Sequence, residues 1–133
     1  GLHLARAGTK VIAVEIDRDA VAQLRRAAEA ANLPLTAIAG DAGAIESEVR
    51  ARLGEAPDVV VVNPPRKGLA GALALVAELA APTVIYVSCG PESLGRDLVA
   101  LAAHGYTADV IEPFDLMPGT AQVETVVRLR RGS

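Results

Sequence analysis

Thr83-Val84-Ile85-Tyr86-Val87-Ser88, followed directly by Cys89-Gly90-Pro91, decides how this chain is read. The first six residues are mostly β-branched or aromatic, the composition of a strand. Gly90 then permits a sharp turn and Pro91 suits the first turn of a helix. The single cysteine of the chain thus sits where a strand hands over to a helix. Open α/β sheets place their chemistry at the carboxyl ends of their strands. The helix amino terminus behind Cys89 favours negative charge, a setting that suits a nucleophilic thiol.

Outward from this junction the same alternation repeats. The spacing predicts strands over Lys10–Ile16, Leu35–Ala39, Val59–Asn63, Thr83–Ser88, Tyr106–Pro113 and Glu124–Arg130. Alanine- and leucine-rich stretches at helical spacing lie between them, near Arg18–Ala31, Ala42–Leu53, Gly68–Ala80 and Pro91–Ala103. Strands alternating with helices indicate an α/β domain built on a mostly parallel sheet. Asp17 is placed to cap the helix that follows it, Asn32 and Gly54 stand just past helix ends, and Gly105 lies in the turn before Tyr106. No helix is expected between the last two strands, so they should pair antiparallel.

The 133 residues suit one domain, 1–133, with a core of its own. A formal charge of -3 and a pI near 5.3 exclude an overall basic footprint, although Arg128, Arg130 and Arg131 make the carboxyl terminus locally basic. One cysteine excludes an internal disulfide, and His3 and His104 have no metal-ligand spacing, so neither a metal nor an oxidising compartment is expected. No apolar run reaches the roughly 20 residues that span a bilayer, so no membrane partner is expected, and with a single cysteine a reducing, cytoplasmic setting is the default expectation.

Gly1 to Gly8 reads as the end of a helix, with Gly8 closing it and no strand ahead of it. Nucleotide-binding α/β domains open with a strand and a glycine-rich turn. Both are expected to be missing here, leaving the strands that end at Glu15 and Asn63 without a shared neighbour. Such edges offer a route to self-association, and a fragment of a longer protein is the preferred explanation.

Three further polar positions stand at strand ends. Glu15 closes Val11–Glu15, where a carboxylate can accept from both hydroxyls of a ribose. Asp41 follows Gly40 after the next strand, where it can accept from an exocyclic amine. Asn63-Pro64-Pro65-Arg66-Lys67-Gly68 follows Val59–Val62 as a turn stiffened by two prolines, with basic groups able to meet a phosphate or an electron-rich base.

Taken together, Val14-Glu15, Asp41, the Asn63–Gly68 turn, Val84–Pro91, Arg96-Asp97-Leu98, Gly105-Tyr106, Asp115–Thr120 and Gln122–Glu124 resemble the catalytic domain of RNA uracil-5 methyltransferases. The Tyr-Val-Ser-Cys-x-Pro stretch is the specific part. The resemblance implies a Rossmann-like fold dependent on S-adenosylmethionine, lacking its first strand, and RNA (tRNA or rRNA) as substrate. It assigns Glu15 to the cofactor's ribose, Asp41 to its adenine and Asn63 to its methionine end. Cys89 becomes the nucleophile that adds to carbon-6 of a uracil, and Glu124 the base that removes the carbon-5 proton. Pro64, Arg66 and Thr120 become contacts to the target base, which must leave its stack to be reached.

The chain departs from the family pattern where Asn63 replaces an aspartate, Gly90 an asparagine, Met117 a phenylalanine and Gln122 a histidine. Two alternatives stay open. An amino-group methyltransferase would also use an Asn-Pro-Pro turn, although Arg66 stands where such enzymes carry an aromatic. A catalytically silent domain that binds cofactor or a partner would explain the absent glycine-rich motif.

Overall fold

The computed structural model describes residues 1–116, 118–120 and 123–133. The chain forms two compact units, Gly1–Glu55 and Ala56–Ser133.

The first unit runs α1 (Leu2–Arg6), β1 (Val11–Glu15), α2 (Arg18–Ala30), β2 (Leu35–Ala39) and α3 (Glu46–Leu53). β1 and β2 pair in parallel from Val11 opposite Leu35 to Glu15 opposite Ala39. Asp17 caps α2 as expected, accepting from the backbone N–H groups of Asp19 and Ala20. Val21 and Ala28 of α2 are buried, as are Ala37 and Ile38 of β2. Arg25 reaches from α2 to the Ala37 carbonyl with two hydrogen bonds, from Nε at 3.0 Å and Nη2 at 2.7 Å.

The second unit runs β3 (Val59–Val62), α4 (Ala72–Leu79), β4 (Thr83–Ser88), α5 (Pro91–Ala102), β5 (Tyr106–Phe114) and β6 (Glu124–Arg131). Its sheet has the order β3-β4-β6-β5. β3 and β4 are parallel, and β6 is antiparallel to both β4 and β5. Three of the four strands therefore share a direction, and the last strand is the reversed one. It also enters the sheet between β4 and β5 instead of adding to the edge.

The core of this unit joins Leu101 of α5 and Val76 of α4 to Val84, Tyr86, Val127 and Leu129 of the sheet. Full burial of each such aliphatic or aromatic side chain contributes about 1.5–3 kcal/mol. The two buried tyrosines keep their hydroxyls satisfied: Tyr106 donates to the Ala81 carbonyl at 2.9 Å and Tyr86 to Asp97 at 2.6 Å. Opposite the bulge between Ala108 and Val110, Arg128 forms a two-point pair with Asp109 at 2.9 and 3.0 Å. That hydrogen-bonded pairing lowers the Asp109 carboxyl pKa. Solvent exposure keeps its contribution to stability small.

Every expected strand is present within a residue or so of its expected ends. Two helices start later than their apolar spacing suggests. α3 begins at Glu46 rather than Ala42 because Asp41 holds a turn, its Oδ1 accepting from the Gly43 N–H at 2.9 Å. α4 begins at Ala72 rather than Gly68 because Gly68 (φ 90°) and Ala70 (φ 45°) are left-handed, which a right-handed helix excludes. β1 and β3 each end a sheet, the two edges expected to lack a shared neighbour. The parallel ladders accordingly lie in two sheets and not one.

Ala80 closes α4 in the left-handed region, with φ 55° and ψ 25°. That conformation costs a residue with a Cβ about 1–2 kcal/mol, and glycine escapes it. Part of the gain is offset by the greater freedom of glycine in the unfolded chain. Ala80→Gly should therefore stabilise the chain by about 0.5–1 kcal/mol. The check is a higher denaturant midpoint at an unchanged slope; an unaltered or lower midpoint would contradict the strain assigned to Ala80.

Candidate active site

In the first unit, Glu15 and Asp41 stand together at the carboxyl end of the parallel β1–β2 ladder. Gly40, immediately before Asp41, donates its N–H to the Glu15 carbonyl at 2.9 Å, so the two strand ends are tied. Both acidic side chains are exposed. Glu15 Oε1 accepts from the Asp17 N–H at 3.0 Å, and Asp41 Oδ1 from Gly43. Each carboxylate is thereby oriented by its own backbone while keeping its face to solvent, a donor-accepting pair suited to hydroxyls and amines.

The second unit gathers the remaining positions at one end of its sheet. In the β4–β6 register Ser88 lies opposite Thr125. Cys89 directly follows Ser88 and Glu124 directly precedes Thr125, so both residues stand at this end of the β4–β6 ladder. Both are half-buried. On the other side of β4, Val62 pairs with Tyr86, so Asn63 and the turn after it leave β3 beside the last residues of β4. Asn63, Pro65, Arg66 and Lys67 are exposed and Pro64 is half-buried. Thr120 is exposed in the loop before β6. Met117 and Gln122, two of the departures from the family pattern, lie outside the described residues.

Two buried serines hold the backbone around Cys89. Ser88 Oγ accepts from the Gly90 N–H at 3.1 Å and contacts the Gly90 carbonyl at 3.0 Å, and Ser93 Oγ donates to that carbonyl at 3.1 Å. Gly90 has a packing reason to be glycine. A Cβ there would stand 3.0 Å from the Arg66 carbonyl oxygen and 3.0 Å from Ser93 Oγ. The turn after β3 and the turn after β4 therefore meet at a backbone-to-backbone distance that a side chain would widen.

Asp97 is a residue whose role sequence reasoning did not assign. It is 4% exposed, and its Oδ2 accepts from the Leu69 N–H at 2.7 Å and the Tyr86 hydroxyl at 2.6 Å. Burial, with the bond to Asp97, raises the Tyr86 pKa and keeps the phenol protonated as the donor. Its signal was present in the sequence. Leu94, Asp97 and Leu101 share one helix face, so an acid stands in the middle of a core stripe.

Among the described residues no group of three or more His, Cys, Asp or Glu side chains could hold a metal ion, and no helix is long and apolar enough to cross a membrane.

A model of the family described as tRNA (uracil-5-)-methyltransferase matches residues 52–132, more than half of the chain. The chain belongs to the tRNA (uracil-5-)-methyltransferase family. Among curated relatives, an uncharacterized RNA methyltransferase of Clostridium tetani is 39% identical over 98% of this chain and 28% of that protein. The 23S rRNA (uracil(747)-C(5))-methyltransferase of Shewanella loihica is 33% identical over 98% of this chain and 34% of its own length. The chain thus spans about a third or less of these relatives.

A solved tRNA (uracil-54, C5)-methyltransferase of Pyrococcus abyssi, in complex with S-adenosyl-L-homocysteine, superposes with a TM-score of 0.80 at 28% identity, over 97% of this chain and 31% of that one. Magnesium protoporphyrin IX methyltransferase from Synechocystis shares the fold alone, with a TM-score of 0.67 at 17% identity over 99% of this chain and 64% of the other. The fold of this member of the tRNA (uracil-5-)-methyltransferase family is accordingly Rossmann-like and common to methyltransferases that use S-adenosylmethionine. The family model spans Asn63–Gly68, Cys89 and Glu124, and Glu15 and Asp41 precede it.

Proposed function

We propose that the chain carries the chemistry of an RNA uracil-5 methyltransferase, with Cys89 as nucleophile and Glu124 as base. The observation that supports this reading is the β4–β6 register, whose last pair, Ser88 with Thr125, brings the chain neighbours Cys89 and Glu124 to the same end of the ladder. A thiol and a carboxylate at one sheet end can serve opposite ends of one reaction. Cys89 adds through sulfur to carbon-6 of uracil, and the electron pair displaced from the carbon-5–carbon-6 double bond makes carbon-5 nucleophilic. Glu124 then takes the proton from carbon-5, the double bond re-forms, and the thiolate leaves carbon-6.

S-adenosylmethionine, when bound, supplies the electrophilic methyl group. The exposed carboxylates of Glu15 and Asp41 fit its nucleoside, being acceptors for ribose hydroxyls and an exocyclic amine. Asn63 is assigned to its methionine end. A neutral amide there removes one charge attraction to a sulfonium relative to aspartate. Pro64 and Arg66 of the proline turn and Thr120 before β6 are assigned to the target base of a tRNA or rRNA, with the Arg66 guanidinium drawn to its carbonyl oxygens.

Calorimetric titration with S-adenosylhomocysteine tests the cofactor half of this reading. Binding with a Kd on the order of 1 μM, or about -8 kcal/mol, is the expected result. The chemical half is tested by supplying the native-length protein with S-adenosylmethionine and uridine-containing RNA and identifying the nucleosides released. Cofactor binding without any 5-methyluridine would overturn the proposed reaction. Methylation of an exocyclic amine instead would favour the amino-group enzyme that the Asn-Pro-Pro turn also resembles.

A further inference from the structure

Arg96 and Asp97, adjacent on α5, grip the turn after β3 on both sides of Gly68. Arg96 donates from Nη2 to the Lys67 carbonyl at 2.7 Å, and Asp97 accepts from the Leu69 N–H at 2.7 Å. Gly68 between them has φ 90°, and a Cβ at that position would stand 2.5 Å from Asp97 Oδ2. The carboxylate therefore lies directly against the turn's backbone. Its other anchor, the Tyr86 hydroxyl, belongs to β4 three residues before Cys89. The circuit closes through Gly90, whose Cβ position is 3.0 Å from the Arg66 carbonyl oxygen.

A buried carboxylate is an expensive way to add stability, because its desolvation offsets much of what its hydrogen bonds return. Charge-assisted bonds are short and directional, so their use here fixes geometry. What they fix is the spacing between the Asn63–Gly68 turn and the turn that carries Cys89.

We propose that Asp97 is a positioning residue: with Tyr86 and Arg96 it holds the Asn63–Gly68 turn at one spacing from the Cys89 turn, so that a uracil bound by the first is presented to the thiol of the second. This rests on the reading of Cys89 as nucleophile. The carboxylate touches neither base nor cofactor and acts through the backbone of residues 67–69 and through Tyr86.

The test is single-turnover adduct formation between the native-length protein and an RNA containing 5-fluorouridine, in the presence of S-adenosylmethionine. Asp97→Asn keeps the shape and removes the charge. Its adduct should form with a rate constant roughly 10- to 100-fold lower, as expected of a displacement of reacting groups on the order of 1 Å, while the final amount of adduct stays that of the wild type. Arg96→Met, at an exposed position that does not endanger folding, should slow the same step by about threefold, corresponding to the loss of one hydrogen bond to a backbone carbonyl. An unchanged rate constant in both variants overturns the proposal. A smaller amount of adduct at an unchanged rate constant also overturns it, since that is the mark of fewer folded molecules. If Asp97→Asn does not fold, the rate constant of Arg96→Met decides. Absence of adduct in the wild type would instead bring down the reading of Cys89, and this role with it.

Discussion

Cys89→Ala should abolish covalent capture of 5-fluorouridine RNA, lowering its rate by on the order of 10⁴-fold or more, because no other group on the chain can replace the attacking sulfur. The hydroxyls of Ser88 and Ser93, in the same turn, are both committed to Gly90. The fold should survive. Cys89 is half-buried and makes none of the bonds that shape its own turn, and replacing a thiol by a hydrogen removes one atom of partly exposed surface. S-adenosylhomocysteine affinity should accordingly stay within about twofold of the wild type, as for groups that share no partner. Adduct formation is followed as a slower band on a denaturing gel and by intact mass. An adduct that survives in Cys89→Ala would remove the nucleophile from its role, while parallel loss of adduct and of cofactor affinity would show a general collapse of the site.

The strand ends and the chemistry were readable from the sequence to different depths. Local composition marks every strand, since short β-branched runs such as Val59–Val62, bounded by turn residues, favour a pleated, half-buried surface. Helix starts depart from apolar spacing where a short-range effect overrides it: the Asp41 turn ahead of α3 and the left-handed Gly68 and Ala70 ahead of α4. The insertion of β6 between β4 and β5 depends on pairing between distant segments and leaves no mark on local pattern. The same holds for the site. Cys89 announced itself by standing between a strand and a proline. That Glu124 comes to the same ladder end appears only when the β4–β6 register is known. Gly90 reads in sequence as a departure from asparagine and in structure as the residue that lets two turns touch. Asp97 stood in the quoted Arg96-Asp97-Leu98 motif without a function, because its partners, a backbone amide and a tyrosine on another element, are invisible until the chain folds.

Glu124→Gln should let the reaction begin and keep it from ending. The amide matches the carboxylate in shape, so β6 should keep its register with Phe114 on one side and the end of β4 on the other. What it lacks is the capacity to take a proton. Loss of a positioned base costs typically 10²–10⁴-fold in the step it serves, and turnover should fall by roughly that factor. Addition of the thiol does not need Glu124. The methylated adduct with ordinary uridine RNA, short-lived in the wild type, should therefore accumulate in Glu124→Gln in stoichiometric amount before any product is released. Rapid quenching and intact mass would show the protein, the RNA and one added methyl group as a single species. Turnover within about threefold of the wild type would assign the proton to another group, because a missing general base is worth far more than that. Loss of both adduct and turnover would mean that Glu124 acts before the methyl transfer, in placing the base against Cys89, and the deprotonation would then have to be sought elsewhere on the same sheet end.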